Sequence, residues 1–342
     1  MIERCGVGSV KDLTVLKEST EEKTGIGHFK FSDRYSVFDW GGMPDEIPNK
    51  GASLAIMTAY FFELLEKRGI KTHYRGIVMD GWVFHLDKIK EPFNKIEVDL
   101  VRVIEPEKSK TGYDYSIYEE LDKNYLVPLE CIYRNSIPLG SSFWKRYRAG
   151  KIKYRVPKDL KPDTPLKEPI LDVSTKLEES DRYLSWEEAK NIAHLGEKQI
   201  KEIKELLLNV NNLITEKTKK CGLTNQDGKL EFAIDPNGNI IVIDALGTLD
   251  ECRFLYEGIS LSKEILRKYY RKTEWYREVV KAKEKVRKDW KTKVKIKPPL
   301  LPENLKDTVS IMYQSVANLI SGKEFFSSPT LKELIGDLSR EY

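Results

Sequence analysis

The stretch "LEFAIDPNGNIIVIDAL", residues 230–246, is two apolar runs joined by the turn-forming "DPNGN", and each run carries one carboxylate, Glu231 and Asp244. Asn-Gly between apolar runs is a strong hairpin signal, because both residues tolerate positive φ. With a loop of two residues (Asn237, Gly238) or four (236–239), Glu231 falls directly across from Asp244. Directly opposed side chains have Cβ atoms about 4.5–5.5 Å apart, and like charges there repel. That register therefore needs a cation or a shared proton between the acids. A three-residue loop with a bulge instead puts the two acids on opposite faces.

The chain around this hairpin has 342 residues, long enough for two lobes sharing a cleft. Its 58 basic and 54 acidic residues leave a net charge of +4, too small a bias to point to nucleic acid. A composition of 40% hydrophobic and 33% charged residues is that of a soluble globular protein. Cys5, Cys131, Cys221 and Cys252 form no CxxC pair, which argues against a zinc site and a disulfide framework. No apolar run approaches the ~18 residues of a membrane span, and no signal-peptide core is visible at the N-terminus. A cytoplasmic protein without a membrane partner is expected, and homo-oligomerisation is left open.

Periodicity supplies the framework. "ASLAIMTAYFFELLEKRG" puts Leu54, Met57, Phe61, Leu64 and Leu65 on one helical face and stops at Gly69. "YRGIVMDGWVFHLDKI" and "KIEVDLVRVI" read as strands. "YLVPLECIYRNSIPLGSSFWKRYRAG" reads as a strand, a Gly-Ser turn and a short basic helix, and residues 150–170 as irregular. One long helix is expected from Ser185 onward, opened by a Ser185/Glu188 capping box. After Phe254 the chain reads as mostly helical.

Several stretches carry ligand chemistry. Gly6 and Gly8 ahead of Lys11 would let backbone and ammonium approach phosphate. "FSDRYSVFDW" clusters Asp33, Arg34, Ser36 and Asp39, and Lys50 with Gly51 precedes the first helix, where an anion is favoured. Arg134 can grip a phosphate or carboxylate bidentately, and the turn at Ser141 offers N–H groups and hydroxyls. "DVSTKLEESD" gathers Ser174, Thr175, Lys176 and Asp181 in a polar loop, and "DALGTLDECRF" adds Asp250 and Arg253. Neither a Ser-His-Asp nor a Cys-His arrangement is legible. Carboxylates for a cation, Lys and Arg for anions and no nucleophile suit phosphoryl transfer, in which positioning and charge neutralisation do most of the catalysis.

Taken in order, "GSVKDL", "SDRYSVFD", "IPNKG", "GIKTHY", "VPLECIYRNSIPLGSSFWKRY", "STKLE", "GKLEF" and "DALGTLDECRF" resemble the SAICAR synthetase family over roughly residues 6–254. The resemblance implies an α+β fold of two lobes: an antiparallel sheet lobe (1–126) that binds ATP, and a larger lobe (127–258). A helical extension (259–342) of unassigned role would follow. It implies an ATP- and Mg²⁺-dependent ligase joining L-aspartate to the carboxylate of carboxyaminoimidazole ribotide through an acyl phosphate. By the same resemblance Glu231 and Asp244 would hold Mg²⁺, while Gly8, Val10, Lys11, Lys50, Leu126, Glu130 and Lys229 would surround the nucleotide. Arg134, Ser141 and Arg253 would bind the ribotide phosphate, and Lys176, Asp181, Asp39 and Asp33 would lie around the reacting groups. The chain departs from the family pattern at Ser9, Ala233, Ala245, Leu249 and Glu251. Glu251, two residues before Arg253, would share its face in an extended segment and pair with it. A paralogous ligase with another substrate, or a nucleotide-binding protein without ligase activity, are the alternative readings.

Overall fold

The structure is a computed structural model that describes residues 4–8, 10–109, 112–154, 156–157, 159–285 and 289–341. Ser9 lies outside the described residues. The chain begins with three strands, β1 (Arg4–Val7), β2 (Lys11–Lys17) and β3 (Gly25–Phe31), followed by α1 (Lys50–Lys67). Strands β4 (Tyr74–Met79), β5 (Trp82–Phe84) and β6 (Lys95–Leu100) complete a six-stranded antiparallel sheet in the order β1-β2-β3-β6-β4-β5. Helix α1 covers one face of this sheet with Leu54, Met57, Phe61 and Leu65, the stripe expected from its periodicity. It ends where Gly69 takes φ 76°, a conformation in which a Cβ would be strained.

A short ribbon, β7 (Glu107–Lys108) and β8 (Tyr113–Asp114), leads into β9 (Tyr125–Ser136), α2 (Ser142–Arg148), β10 (Pro165–Thr175) and β11 (Tyr183–Leu184). Helices α3 (Trp186–Ala193) and α4 (Glu197–Lys220) follow, then β12 (Leu223–Ile234), β13 (Ile240–Ile243), β14 (Cys252–Tyr256) and β15 (Ile259–Leu261). These strands form a second antiparallel sheet, β11-β10-β9-β12-β14-β15, with β13 added to β12. Strand β9 lies at its centre and is buried over nearly its whole length, its apolar run interrupted by the charged Glu130 and Arg134. The single long helix expected after Ser185 is two. His194 takes φ 49°, which ends α3, and Gly196 opens α4 with its N–H donated to the side chain of Gln199. The segment expected to be irregular becomes strand β10 from Pro165, with a bulge before Ile170.

The last four helices, α5 (Glu264–Arg271), α6 (Glu274–Lys285), α7 (Glu303–Ser321) and α8 (Leu331–Glu341), fold back over the rest of the chain. Helix α7 packs on α1 of the first sheet, while α5 continues from β15 of the second. The extension therefore touches both sheets and shares their core. Among the described residues, no helix is long and apolar enough to cross a membrane.

Candidate functional site

Strands β12 and β13 pair Glu231 with Ile243 and Ile234 with Ile240, so the loop has three residues, 236–238, between Asp235 and Asn239. Gly238 takes φ 79° and the Asp235 carboxylate accepts from the N–H groups of Asn237 and Asn239, which fixes that length. The register placing Glu231 across from Asp244 does not form. The residue across from Glu231 is another acid, Glu130, on β9. Asp244 follows the end of β13 with φ 68°, a left-handed turn that re-aims its side chain out of the strand alternation.

Three lysines meet these acids. Lys176 Nζ lies 2.6 Å from Glu231 and 3.4 Å from Glu130; Lys229 Nζ lies 3.0 Å from Glu130 and 3.4 Å from Glu251; Lys11 donates to Asp244. The charges sit close enough to shift one another. Burial, then the charge of Asp244, pushes Glu231 up to about 7. Burial also opposes ionisation of Asp244, but Lys11 and Lys176 override it and hold this carboxyl well below the usual range. One acid of the pair is firmly ionised and the other is poised. Glu251 pairs with Lys229, and Arg253 pairs with Asp227 at 3.3 Å; the expected Glu251–Arg253 contact gives way because each already has a partner on β12.

Beside the acids opens a cavity of about 530 Å³. Its wall includes Asp39, Asp181, Lys229 and Arg253, and the extension adds Lys263, Arg267, Arg271 and Lys283. The sequence reading assigned the extension no role. Its signal was the i, i+4, i+8 spacing of Lys263, Arg267 and Arg271, which puts three cations on one helical face. Asp181 is exposed as a residue, yet its carboxyl lines the cavity, where desolvation and the Glu130 charge push it up to about 6. Asp39 and Phe38 take φ 60° and 57°, and Lys283 holds both, donating to Phe38 O at 2.9 Å and to Asp39 at 2.7 Å.

Other residues singled out from sequence are engaged by protein partners, Arg134 among them although it borders the cavity. Arg134 and Ser141 do meet, at 3.4 Å, but the guanidinium is 2% exposed and bonds Asp172 at 3.0 Å and Asp227 at 3.2 Å. Two protein carboxylates thus hold the group expected to grip a phosphate. Lys50 is fully buried, its ammonium 2.9 Å from Asp250, so it faces protein where a nucleotide contact was expected. Asp33 accepts from Gly51 N–H at 2.9 Å and Asn49 N–H at 3.2 Å, capping the start of α1. Gly8 turns back on Lys11 so tightly that a Cβ would lie 2.3 Å from the Lys11 carbonyl, and Val10 O accepts from Ser32. Leu126 joins Ala233, Ile241 and Ile243 in a small apolar patch of its own, flanked by Val101 and Leu177.

A profile of the SAICAR synthetase family matches residues 19–283. The chain belongs to that family. A protein of Archaeoglobus fulgidus is 49% identical over 337 residues, spanning 97% of this chain and 98% of its own. The phosphoribosylaminoimidazole-succinocarboxamide synthase of Thermoplasma acidophilum is 31% identical over 310 residues, 87% of this chain and 93% of its own. A SAICAR synthase from Saccharomyces cerevisiae, solved in complex with SAICAR, superposes with a TM-score of 0.67 at 22% identity, over 95% of this chain and 96% of that one. A SAICAR synthetase solved with ADP gives 0.60 at 22%, over 94% and 98%. At that identity the two structures speak for the fold, and the α+β architecture is that of SAICAR synthetases. As a member of the family the chain is a carbon–nitrogen ligase. Its helical extension belongs to the shared fold, since both superpositions reach beyond the end of the second sheet.

Proposed function

We propose that this chain joins L-aspartate to the carboxylate of carboxyaminoimidazole ribotide, consuming ATP and releasing ADP and phosphate. The observation that carries the reading is the pair of buried Glu231 and partly exposed Asp244, matched by Lys11 and Lys176, beside a cavity whose wall gathers cations from both the second sheet and the extension.

The pair fits a divalent cation shared with phosphates. Mg²⁺ is commonly bound by one or two carboxylates together with substrate phosphate oxygens. Among the described residues no group of three or more His, Cys, Asp or Glu is arranged to cage a metal, so phosphate oxygens would complete the set. Glu231 and Asp244 would hold the ion, which when bound supplies charge neutralisation on the transferring phosphoryl group. Lys11, released from Asp244, would reach the phosphates together with the N–H groups of the Gly8 turn. The apolar patch of Leu126, Ala233, Ile241 and Ile243 suits a flat base.

In the cavity, Arg253, Lys263 and Arg267 would hold the ribotide phosphate. Lys176 would orient the ribotide carboxylate while one of its oxygens attacks the γ-phosphorus and ADP leaves, giving an acyl phosphate. The aspartate amine then attacks the acyl carbon, phosphate departs, and the proton lost from nitrogen passes to a carboxylate such as Asp181, whose position near 6 suits a base. The protein itself provides positioning and charge, and no side chain becomes covalently attached.

ADP release requiring both the ribotide and L-aspartate is the expected result of a coupled assay. Release that needs neither, or binding of ATP without turnover, would overturn the reading. A ligase acting on a different pair of substrates is the second reading, favoured by Glu251 in the cavity wall; release of ADP only with another acceptor would support it.

A further inference from the structure

Asp250 lies in the loop between β13 and β14, held there by its own N–H, which donates to Thr248 Oγ1 at 3.2 Å. Its two oxygens take three donors. Oδ2 receives Lys50 at 2.9 Å and Lys263 at 3.3 Å, and Oδ1 receives the hydroxyl of Tyr313 at 2.7 Å. The three donors come from α1, from the residue before α5, and from α7, so one carboxylate joins the first sheet's helix to two parts of the extension.

We propose that Lys50 and Tyr313 are positioning residues that keep Asp250 occupied, so that the ammonium of Lys263 stays directed at the phosphate of the substrate. This rests on the ligase reading above for the identity of the substrate. The two lysines differ in what each can do. Lys50 is fully buried, with its ammonium 5.5 Å from the centre of the Tyr313 ring, and a buried ammonium needs an anion beside it. Its claim on Asp250 is therefore permanent. Lys263 keeps 17% of its side chain exposed and lines the cavity, so it is the donor able to turn toward a ligand.

Charge decides the consequence. Two ammonium groups on one carboxylate leave a surplus positive charge at the cavity wall, beside Arg253 and Arg267. Burial disfavours the charged forms of both Lys50 and Asp250; Lys263 and then Lys50 favour the charge on Asp250, while Asp250 favours and Lys263 opposes the charge on Lys50. With Lys50 gone, Asp250 and Lys263 would close into a neutral pair, and the surplus that attracts an anion would vanish. Removing the Tyr313 hydroxyl would free Oδ1 and let Asp250 hold Lys263 more tightly, though by less than the loss of Lys50 does.

The test compares wild type with Lys50→Met, Tyr313→Phe and Lys263→Met. Lys50→Met and Lys263→Met should each raise the KM for the ribotide by about tenfold or more, the scale of one charged hydrogen bond, with the KM for ATP unchanged. Tyr313→Phe, which keeps the ring and the packing, should raise the same KM about threefold. A fall in kcat and melting temperature with no change in the ribotide KM would mark a purely structural role and overturn the proposal. If Lys50→Met does not fold, the other two variants still decide it. Calorimetry with inorganic phosphate separates this proposal from the ligase reading. Should wild type bind phosphate but show no turnover, the ligase reading fails alone; equal phosphate affinity in wild type and Tyr313→Phe, with Lys263→Met also unchanged, overturns the positioning proposal alone.

Discussion

Around Arg134 two carboxylates close on one guanidinium that has almost no contact with solvent, whereas in the other cluster only Glu231 is buried, and Asp244 and both lysines stay partly exposed. Lys11 and Lys176 keep 19% and 27% of their side chains exposed, against 2% for Arg134. Both clusters hold opposite charges at hydrogen-bond distance. They differ in whether the cation can leave. A desolvated pair with both partners enclosed is a structural knot, because separating it strands a charge in low dielectric. A pair whose cation stays partly in solvent can exchange that cation for a ligand at small cost. Motif resemblance gave Arg134 to the ribotide phosphate and Lys11 to the nucleotide, both as ligand cations; burial separates them.

Breaking the closed cluster should have the largest effect. Arg134→Met leaves Asp172 and Asp227 without their shared guanidinium and should cost about 3–5 kcal/mol in denaturant unfolding. A loss below about 1 kcal/mol would show that the cluster is not closed. In the open cluster the same kind of change should spare the fold and strike activity. Glu231→Gln and Asp244→Asn should each lower Mg²⁺-dependent turnover on the order of 100-fold while melting within a few degrees of wild type. Near-normal turnover at low millimolar Mg²⁺ in either variant would remove the acid pair from the site.

A finer test uses Asp181, which belongs to the open side. Its carboxyl is raised, so it is ionised above about 6 and protonated below. If the ionised form accepts the amine proton, kcat/KM falls as pH drops through about 6, and the residual activity of Asp181→Asn lacks that limb. An unchanged acid limb in the variant would assign the titration to another group. The smallest effect is expected at Lys283, a half-exposed cation on Asp39. Lys283→Met should change stability by less than about 1 kcal/mol, as exposed ion pairs do, and raise a substrate KM by a few fold through the loosened Phe38–Asp39 turn. A much larger loss of stability would mean that the turn belongs to the closed part of the molecule.

The hairpin shows how far local pattern reaches. "DPNGN" announces a tight turn whatever its length, and both strands form where the apolar runs stand. Loop length, however, is decided by one αL residue, Gly238, and a change of one residue moves the whole register. The acid facing Glu231 comes from β9, about a hundred residues earlier, and no window of sequence contains both. Periodicity reads through the break between α3 and α4 as one helix; the break is carried by His194 in the left-handed region, ahead of Gly196.

By itself the sequence determined the hairpin strands, the α1 helix, the capping box at Ser185 and a set of charged candidates for the site, because period, turn chemistry and capping are short-range effects. It also determined the family, through the order of its motifs. Tertiary structure decided which of those charges are free to act. Lys50, Arg134 and Asp33 became internal partners of Asp250, of Asp172 and Asp227, and of the α1 N-terminus, while Lys263, Arg267, Arg271 and Lys283 came into the cavity from an extension with no motif to announce it. Burial and opposition of charge depend on which distant strands and helices pack together, and that is set by long-range pairing across two sheets and the helices that join them.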